Sequence, residues 1–174
     1  MKSIKAVLFV MVLTLASGCS HYSDITGKVV DNTSGKPVEG AVVIAQWTNT
    51  RGIPGLQYHN LHKIVETLTD KNGAFSLKGT FGFIINPPEM IIYKEGYIPW
   101  RNDSIFPSCD LVKSNEWINK SLYKLEVFSD KYTSRQLWEF MDYGIIGLGN
   151  APIFYRIHGK ISDRKIDEDK RNKI

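Results

Sequence analysis

The sequence predicts an all-β fold: a two-layer β-sandwich carrying one added C-terminal helix and a charged tail. Three observations carry that prediction. From Asp24 to about Val127 the chain is a series of short segments rich in Val, Ile, Thr, Phe and Tyr, residues that suit a pleated, half-buried surface. Clusters of Gly, Pro, Asn and Asp separate these segments, and several short strands joined by turns indicate a sandwich or barrel rather than alternating α/β units. Helical spacing begins only after Val127.

The elements follow in order. Residues 25–30 are β-rich and end in turn chemistry, Asp31-Asn32-Thr33-Ser34-Gly35-Lys36-Pro37. Residues 41–47, a run apolar but for Gln46 behind Gly40, read as a central strand. Residues 48–61 hold Gly52, Pro54 and Gly55 and read as an extended loop. Residues 63–68 are a further strand, and Asp70-Lys71-Asn72-Gly73 separates it from residues 74–77. Asn-Gly supplies the positive φ angles of a tight hairpin. Phe75 and Leu77 alternate with Ala74 and Ser76, so that strand buries one face. Residues 81–88 read as an irregular connection, because Pro87 and Pro88 cannot donate to a ladder. Residues 90–93 form a strand stopped by Gly96-Tyr97. Thr133 with Gln136 makes a capping box for a helix over residues 134–143, whose apolar face is Leu137, Trp138, Phe140 and Met141 and whose end Gly144 closes. Residues 153–157 read as a short strand, and from Lys160 onward mixed charges predict a solvated, frayed tail.

The N-terminus has its own pattern. Lys2 and Lys5 precede an apolar stretch, residues 6–16, which closes on Leu15-Ala16-Ser17-Gly18-Cys19. Positive charge, a short apolar core and small residues make a secretory signal. The stretch is shorter than the ~20 apolar residues that span a bilayer as a helix. The arrangement resembles the signal of a bacterial lipoprotein, with Ala16 where Leu or Val is usual. That resemblance implies cleavage before Cys19, a diacylglyceryl group on its thiol, and palmitate among the acyl chains. Two or more chains anchor stably. Ser20 in place of Asp favours the outer membrane over the inner one.

Removing residues 1–18 leaves about 156 residues, enough for one domain, and lowers the formal charge from +4 to about +2. So mild a surplus gives no argument for nucleic acid. With Cys19 acylated, Cys109 is the one cysteine left, so no intramolecular disulfide forms and Cys109 is expected to be buried. The chain then divides into a signal peptide (residues 1–18), a sandwich (19–128) and a C-terminal helix, short strand and charged tail (129–174).

Within the sandwich, Gly27, Val29 and Asp31 come first; Gly35-Lys36-Pro37-Val38-Glu39-Gly40-Ala41-Val42-Val43 follows; then Thr69-Asp70-Lys71-Asn72-Gly73-Ala74-Phe75-Ser76-Leu77; then Ile92-Tyr93-Lys94-Glu95-Gly96-Tyr97. This ordered set, over residues 25–100, resembles the carboxypeptidase regulatory-like domain, a transthyretin-like β-sandwich family. The resemblance implies a transthyretin-like β-sandwich fold and no catalytic zinc site. The transthyretin-like enzyme that hydrolyses 5-hydroxyisourate ends in Tyr-Arg-Gly-Ser; this chain ends in Lys170-Arg171-Asn172-Lys173-Ile174, so that activity does not carry over.

Other constellations read structurally. His59, His62 and Glu66 lie where loop runs into strand, a spacing that does not converge on a metal. Asp31, Asp70 and Asn72 are turn residues without the acidic density of a calcium loop. Gly144, Gly147 and Gly149 lack the strand, helix and Lys of a phosphate loop. Trp47, Tyr58, Tyr93, Tyr97 and Trp100 are core aromatics or, on the alternative reading, a platform for sugar rings. There is no Gly-x-Ser-x-Gly nucleophile elbow. The sequence thus points to a non-enzymatic, lipid-anchored envelope protein without cofactor or metal, presenting residues 48–61 and an edge strand to a protein or glycan partner. The alternative is a small carbohydrate-binding protein or hydrolase using the same loop and nearby aromatics.

Overall fold

The run at 41–47 is apolar at every position but Gln46 because the strand it forms is covered on both faces. In the computed structural model, which describes residues 19–109, 121–146 and 148–171, Val43, Ala45 and Trp47 belong to one buried cluster while Val42 and Ile44 belong to a second. The expected signal peptide and the last residues of the tail lie outside the described residues.

Nine strands and two helices are described: β1 (Cys19–Tyr22), β2 (Ile25–Asp31), β3 (Val42–Arg51), β4 (Tyr58–Leu68), β5 (Ala74–Leu77), β6 (Thr80–Phe83), β7 (Glu89–Tyr93), β8 (Trp100–Arg101), β9 (Ser121–Leu125), α1 (Ser134–Asp142) and α2 (Pro152–Arg171). They make a four-stranded sheet in the order β4-β3-β7-β8, a three-stranded sheet β5-β2-β9, and a two-stranded ribbon β1-β6. All pairings are antiparallel except β2 with β9. The two larger sheets face each other across Ile25, Val29, Phe75, Leu77, Met90, Ile92, Tyr123 and Leu125. The fold is a β-sandwich, as predicted.

The opposite face of the four-stranded sheet is covered by both helices. Ile91 and Tyr93 of β7 join Val42 and Ile44 there, against Leu137 and Met141 of α1 and Phe154 and Ile161 of α2. Helix α1 starts at the expected capping box: the Thr133 hydroxyl accepts from the Gln136 amide, and the Gln136 side chain accepts from the Thr133 amide.

Five expectations are corrected. The loop expected over 48–61 is mostly strand: pairing continues from Thr48↔Leu61 to Arg51↔Tyr58, leaving 52–57 as the connection. A β-bulge at His62 separates this distal part from the core pairing, and polar residues such as Thr48, Asn49 and Thr50, which show no apolar alternation, hid it. The 81–88 connection begins as β6, which pairs with β1. The Asp70–Gly73 turn joins strands of different sheets rather than closing a hairpin. Its local chemistry is as expected: Asp70 Oδ1 accepts from the amides of Asn72 and Ala74, both at 2.8 Å. Finally, residues 153–157 are helical, and the supposedly frayed tail is helix as far as Arg171. Pro152 opens α2 at the position where its missing N–H costs least. Phe154, Ile157 and Ile161 then recur at helical spacing toward the core.

Candidate functional site at the Cys19 end of the sandwich

Strands β3 and β4 extend beyond the bulge as an arm. Its tip, Gly52-Ile53-Pro54-Gly55-Leu56-Gln57, carries no charged residue. Ile53 and Leu56 are 65% and 74% exposed, and the Leu56 amide donates to the Ile53 carbonyl at 2.9 Å. At the base of the tip, Arg51 pairs with Tyr58, and both are exposed.

The β1–β6 ribbon lies beside the arm. Its register sets Cys19 opposite Phe83 and His21 opposite Phe81. Tyr22 turns inward, its ring against Trp47 and its hydroxyl donating to the Ile85 carbonyl at 3.1 Å. Phe81 and Phe83 turn outward and are 79% and 58% exposed. Next comes Ile84, also exposed, with φ at +50°. A β-branched residue resists this left-handed conformation, at a cost of about 1–2 kcal/mol. Polar side chains of the arm hold it there. Asn49 Nδ2 donates to the carbonyls of Phe83 and Ile84 at 3.1 and 3.2 Å. Asn86 Nδ2 donates to the hydroxyls of Thr48 and Thr50 at 2.9 and 3.1 Å and lies 3.2 Å from His59 Nδ1.

These contacts orient the molecule. Tyr22 lies at the level of Trp47, whereas Phe83, the register partner of Cys19, lies at the level of Asn49, nearer the arm tip. The first residue of β1 is therefore at the arm end. The turns at 32–37, 69–73 and 94–97 gather at the other end: the Val29 amide donates to the Gly73 carbonyl, the Gly40 amide to the Thr69 carbonyl, and Lys94 Nζ to the Gly40 carbonyl.

The remaining candidate residues are scattered. His59 and His62 sit on β4, at the arm and at the bulge. Glu66 is elsewhere on that strand: its carboxylate accepts from the amides of Ile153 and Phe154 at 2.8 and 2.9 Å, capping α2. Among the described residues no three His, Cys, Asp or Glu side chains converge as metal ligands would. Asp31 accepts from the Thr33 and Ser34 amides and the Ser34 hydroxyl, and these bonds, Ser34 foremost, lower its pKa. Trp47 and Tyr93 are buried, Tyr97 and Trp100 half-buried, and only Tyr58 is exposed, so the five aromatics form no platform. Cys109 is half-exposed rather than buried. Gly144 follows α1, and Gly147 lies outside the described residues.

A polar cluster that the sequence reading missed lies between the four-stranded sheet and α1. The Arg101 guanidinium pairs with both Asp103 oxygens at 2.7 Å and donates to the carbonyls of Phe140 and Tyr143. Gln46 Nε2 donates to Glu89 and to the Gly144 carbonyl, and Gln46 Oε1 accepts from the Ile146 amide. Burial raises the Glu89 carboxyl above its ordinary pKa. Every member serves to close the end of α1 onto the sheet. A cavity of about 240 Å³ lies between Trp100, Phe106, Lys124, Glu126 and Tyr132, also lined by Arg101.

No family model matches the chain, and no curated protein matches it. Solved structures similar to part of it include two pilin structures. The streptococcal ancillary pilin is 15% identical with a TM-score of 0.32, over 61% of this chain and 29% of that one. The C-terminal domain of the shaft pilin spaA from Lactobacillus rhamnosus GG is 14% identical with a TM-score of 0.31, over 63% of this chain and 99% of that one. The chain thus spans under a third of the first pilin's length.

Proposed function

We propose that this protein is a non-enzymatic lipoprotein of the bacterial cell envelope, acylated at Cys19, whose sandwich offers its turn-rich end to a protein partner. The observation that carries the reading is the position of Cys19: the residue that the signal pattern marks for acylation is also the first residue of β1, at the arm end. The anchor therefore holds one end of the sandwich, and the turns at 32–37, 69–73 and 94–97 face away from the bilayer. Residues 48–61, expected from the sequence to meet the partner, lie on the anchored side instead.

The turn-rich end suits recognition because its turns are fixed by their own hydrogen bonds, so little ordering entropy is lost on contact. A protein partner is favoured over a glycan because Trp47 and Tyr93, which would have stacked on sugar rings, are inside the cores. The resemblance to the carboxypeptidase regulatory-like domain supports a non-catalytic module, and Ser20 supports the outer membrane.

Radiolabelled palmitate and in-cell crosslinking test this. Palmitate enters the full chain and not Cys19→Ala, and photocrosslinkers at Ser34 and Lys71 capture a defined envelope protein. Unlabelled protein, or labelled protein that captures nothing there and turns over a substrate in an activity screen, overturns the proposal.

A further inference from the structure

At the arm end, five large apolar side chains stand in water: Ile53 and Leu56 on the tip, and Phe81, Phe83 and Ile84 on and beside β6. We infer that this end is a membrane-seating face, whose apolar side chains lodge in the headgroup region of the bilayer that holds Cys19 and fix the sandwich against it. The inference rests on the acylation of Cys19 proposed above and adds to it an orientation.

Three observations point to a bilayer as the occupant. The first is the absence of a spacer. Each residue of extended chain adds about 3.5 Å of reach, yet β1 begins at Cys19 itself and pairs at once with Phe83. Register partners have Cα atoms about 5 Å apart, and the headgroup layer is about 5–8 Å deep. Acylation at Cys19 therefore holds Phe83 within that layer. The second is the chemistry of the tip. Residues 52–57 are uncharged, and the first pair behind them is Arg51 with Tyr58. Tyrosine is enriched at the membrane–water boundary, and arginine is drawn to anionic headgroups. The third is Ile84. Its left-handed backbone would be relaxed by Asn or Gly, yet an isoleucine is held there by Asn49 and faces outward. A second copy or a protein partner would also cover apolar groups. The bilayer is favoured because the acylated residue is part of the ribbon that bears them.

The test uses the full chain in intact cells, with benzoylphenylalanine replacing Phe83, Leu56 or, as the far-end control, Lys71. Irradiation should give phospholipid adducts at 83 and 56 and none at 71. Ile84→Asn should melt no lower than the parent. Combining it with Phe81→Ser and Phe83→Ser should leave palmitate labelling intact, abolish the lipid adduct at 56 and open the 52–57 tip to protease. Adducts at 83 and 56 with a second copy or another protein, and none with lipid, overturn the seating face, as does an undiminished adduct at 56 in the triple variant. Palmitate failing to enter the parent removes both readings. Palmitate entering while 83 and 56 give no phospholipid adduct removes the seating face alone.

Discussion

Arg101 makes the strictest demand of any single residue here, because its side chain is 1% exposed and permanently charged. Asp103 answers it with both oxygens. Burial pushes the Asp103 carboxyl up, but its bonds to Arg101 and Ser104 and the Arg101 charge outweigh that, leaving its pKa below the ordinary 3.8. The stability this contributes is therefore complete above about pH 3.8 and lost as pH falls through the lower folded value. Asp103→Asn, which strands the guanidinium, should cost about 3 kcal/mol in urea unfolding at neutral pH. The variant should also lack this contribution to the acid limb. Gly73 makes a steric demand instead: its φ is +74°, and a Cβ there would collide with the Val29 carbonyl oxygen. Gly73→Val should destabilise by about 3 kcal/mol, and an unchanged melting temperature would reject this account of the turn. Gly73 was legible in the sequence because Asp-x-Asn-Gly states its own geometry. The Arg101–Asp103 pair was not, since nothing local to two charged residues says that a helix will close over them.

At the scale of elements, legibility followed the range of the forces. Helix α1 carries its own capping box and its own apolar face, so its bounds were readable to within a residue. Helix α2 borrows its cap from Glu66, 87 positions earlier in the chain. Without that distant carboxylate in view, the short apolar run at 153–157 looked like a strand, although Pro152 and the 154-157-161 spacing were signals of a helix. Glu66→Ala should cost about 1–2 kcal/mol by uncovering the first amides of α2. Hydrogen exchange should then quicken about tenfold at residues 153–157, while β3 and β7 amides hold their protection. Equal quickening throughout would mean that the cap stabilises the whole fold rather than the helix end. The arm was misread for a related reason: its pairing from Thr48↔Leu61 to Arg51↔Tyr58 depends on backbone ladder bonds that polar side chains do not advertise.

At the scale of the molecule, the four-stranded sheet is the shared wall between two cores. Alternation along β3 and β7 sends Val43, Ala45, Met90 and Ile92 one way and Val42, Ile44, Ile91 and Tyr93 the other. The helices are thus the third layer rather than an appendage. Ending the chain after Lys131 should expose the second set, and the shortened protein should bind a hydrophobic dye and aggregate even though both sheets remain encoded. A soluble, dye-silent monomer would show the sandwich to be self-sufficient. The two ends of the molecule also differ in kind: one is apolar and holds Cys19, the other is a set of hydrogen-bonded turns.

By itself the sequence determined the all-β class, the central strand, the turn residues and the cap of α1, because each is written in neighbouring residues through backbone geometry or short-range hydrogen bonding. Only the tertiary structure decided that β1 pairs with β6, that Glu66 caps α2, that Arg101 is buried on the end of α1, and that the arm shares an end with Cys19. Those facts join residues tens of positions apart, and such pairings are chosen by burial and register across the whole chain rather than by any local preference.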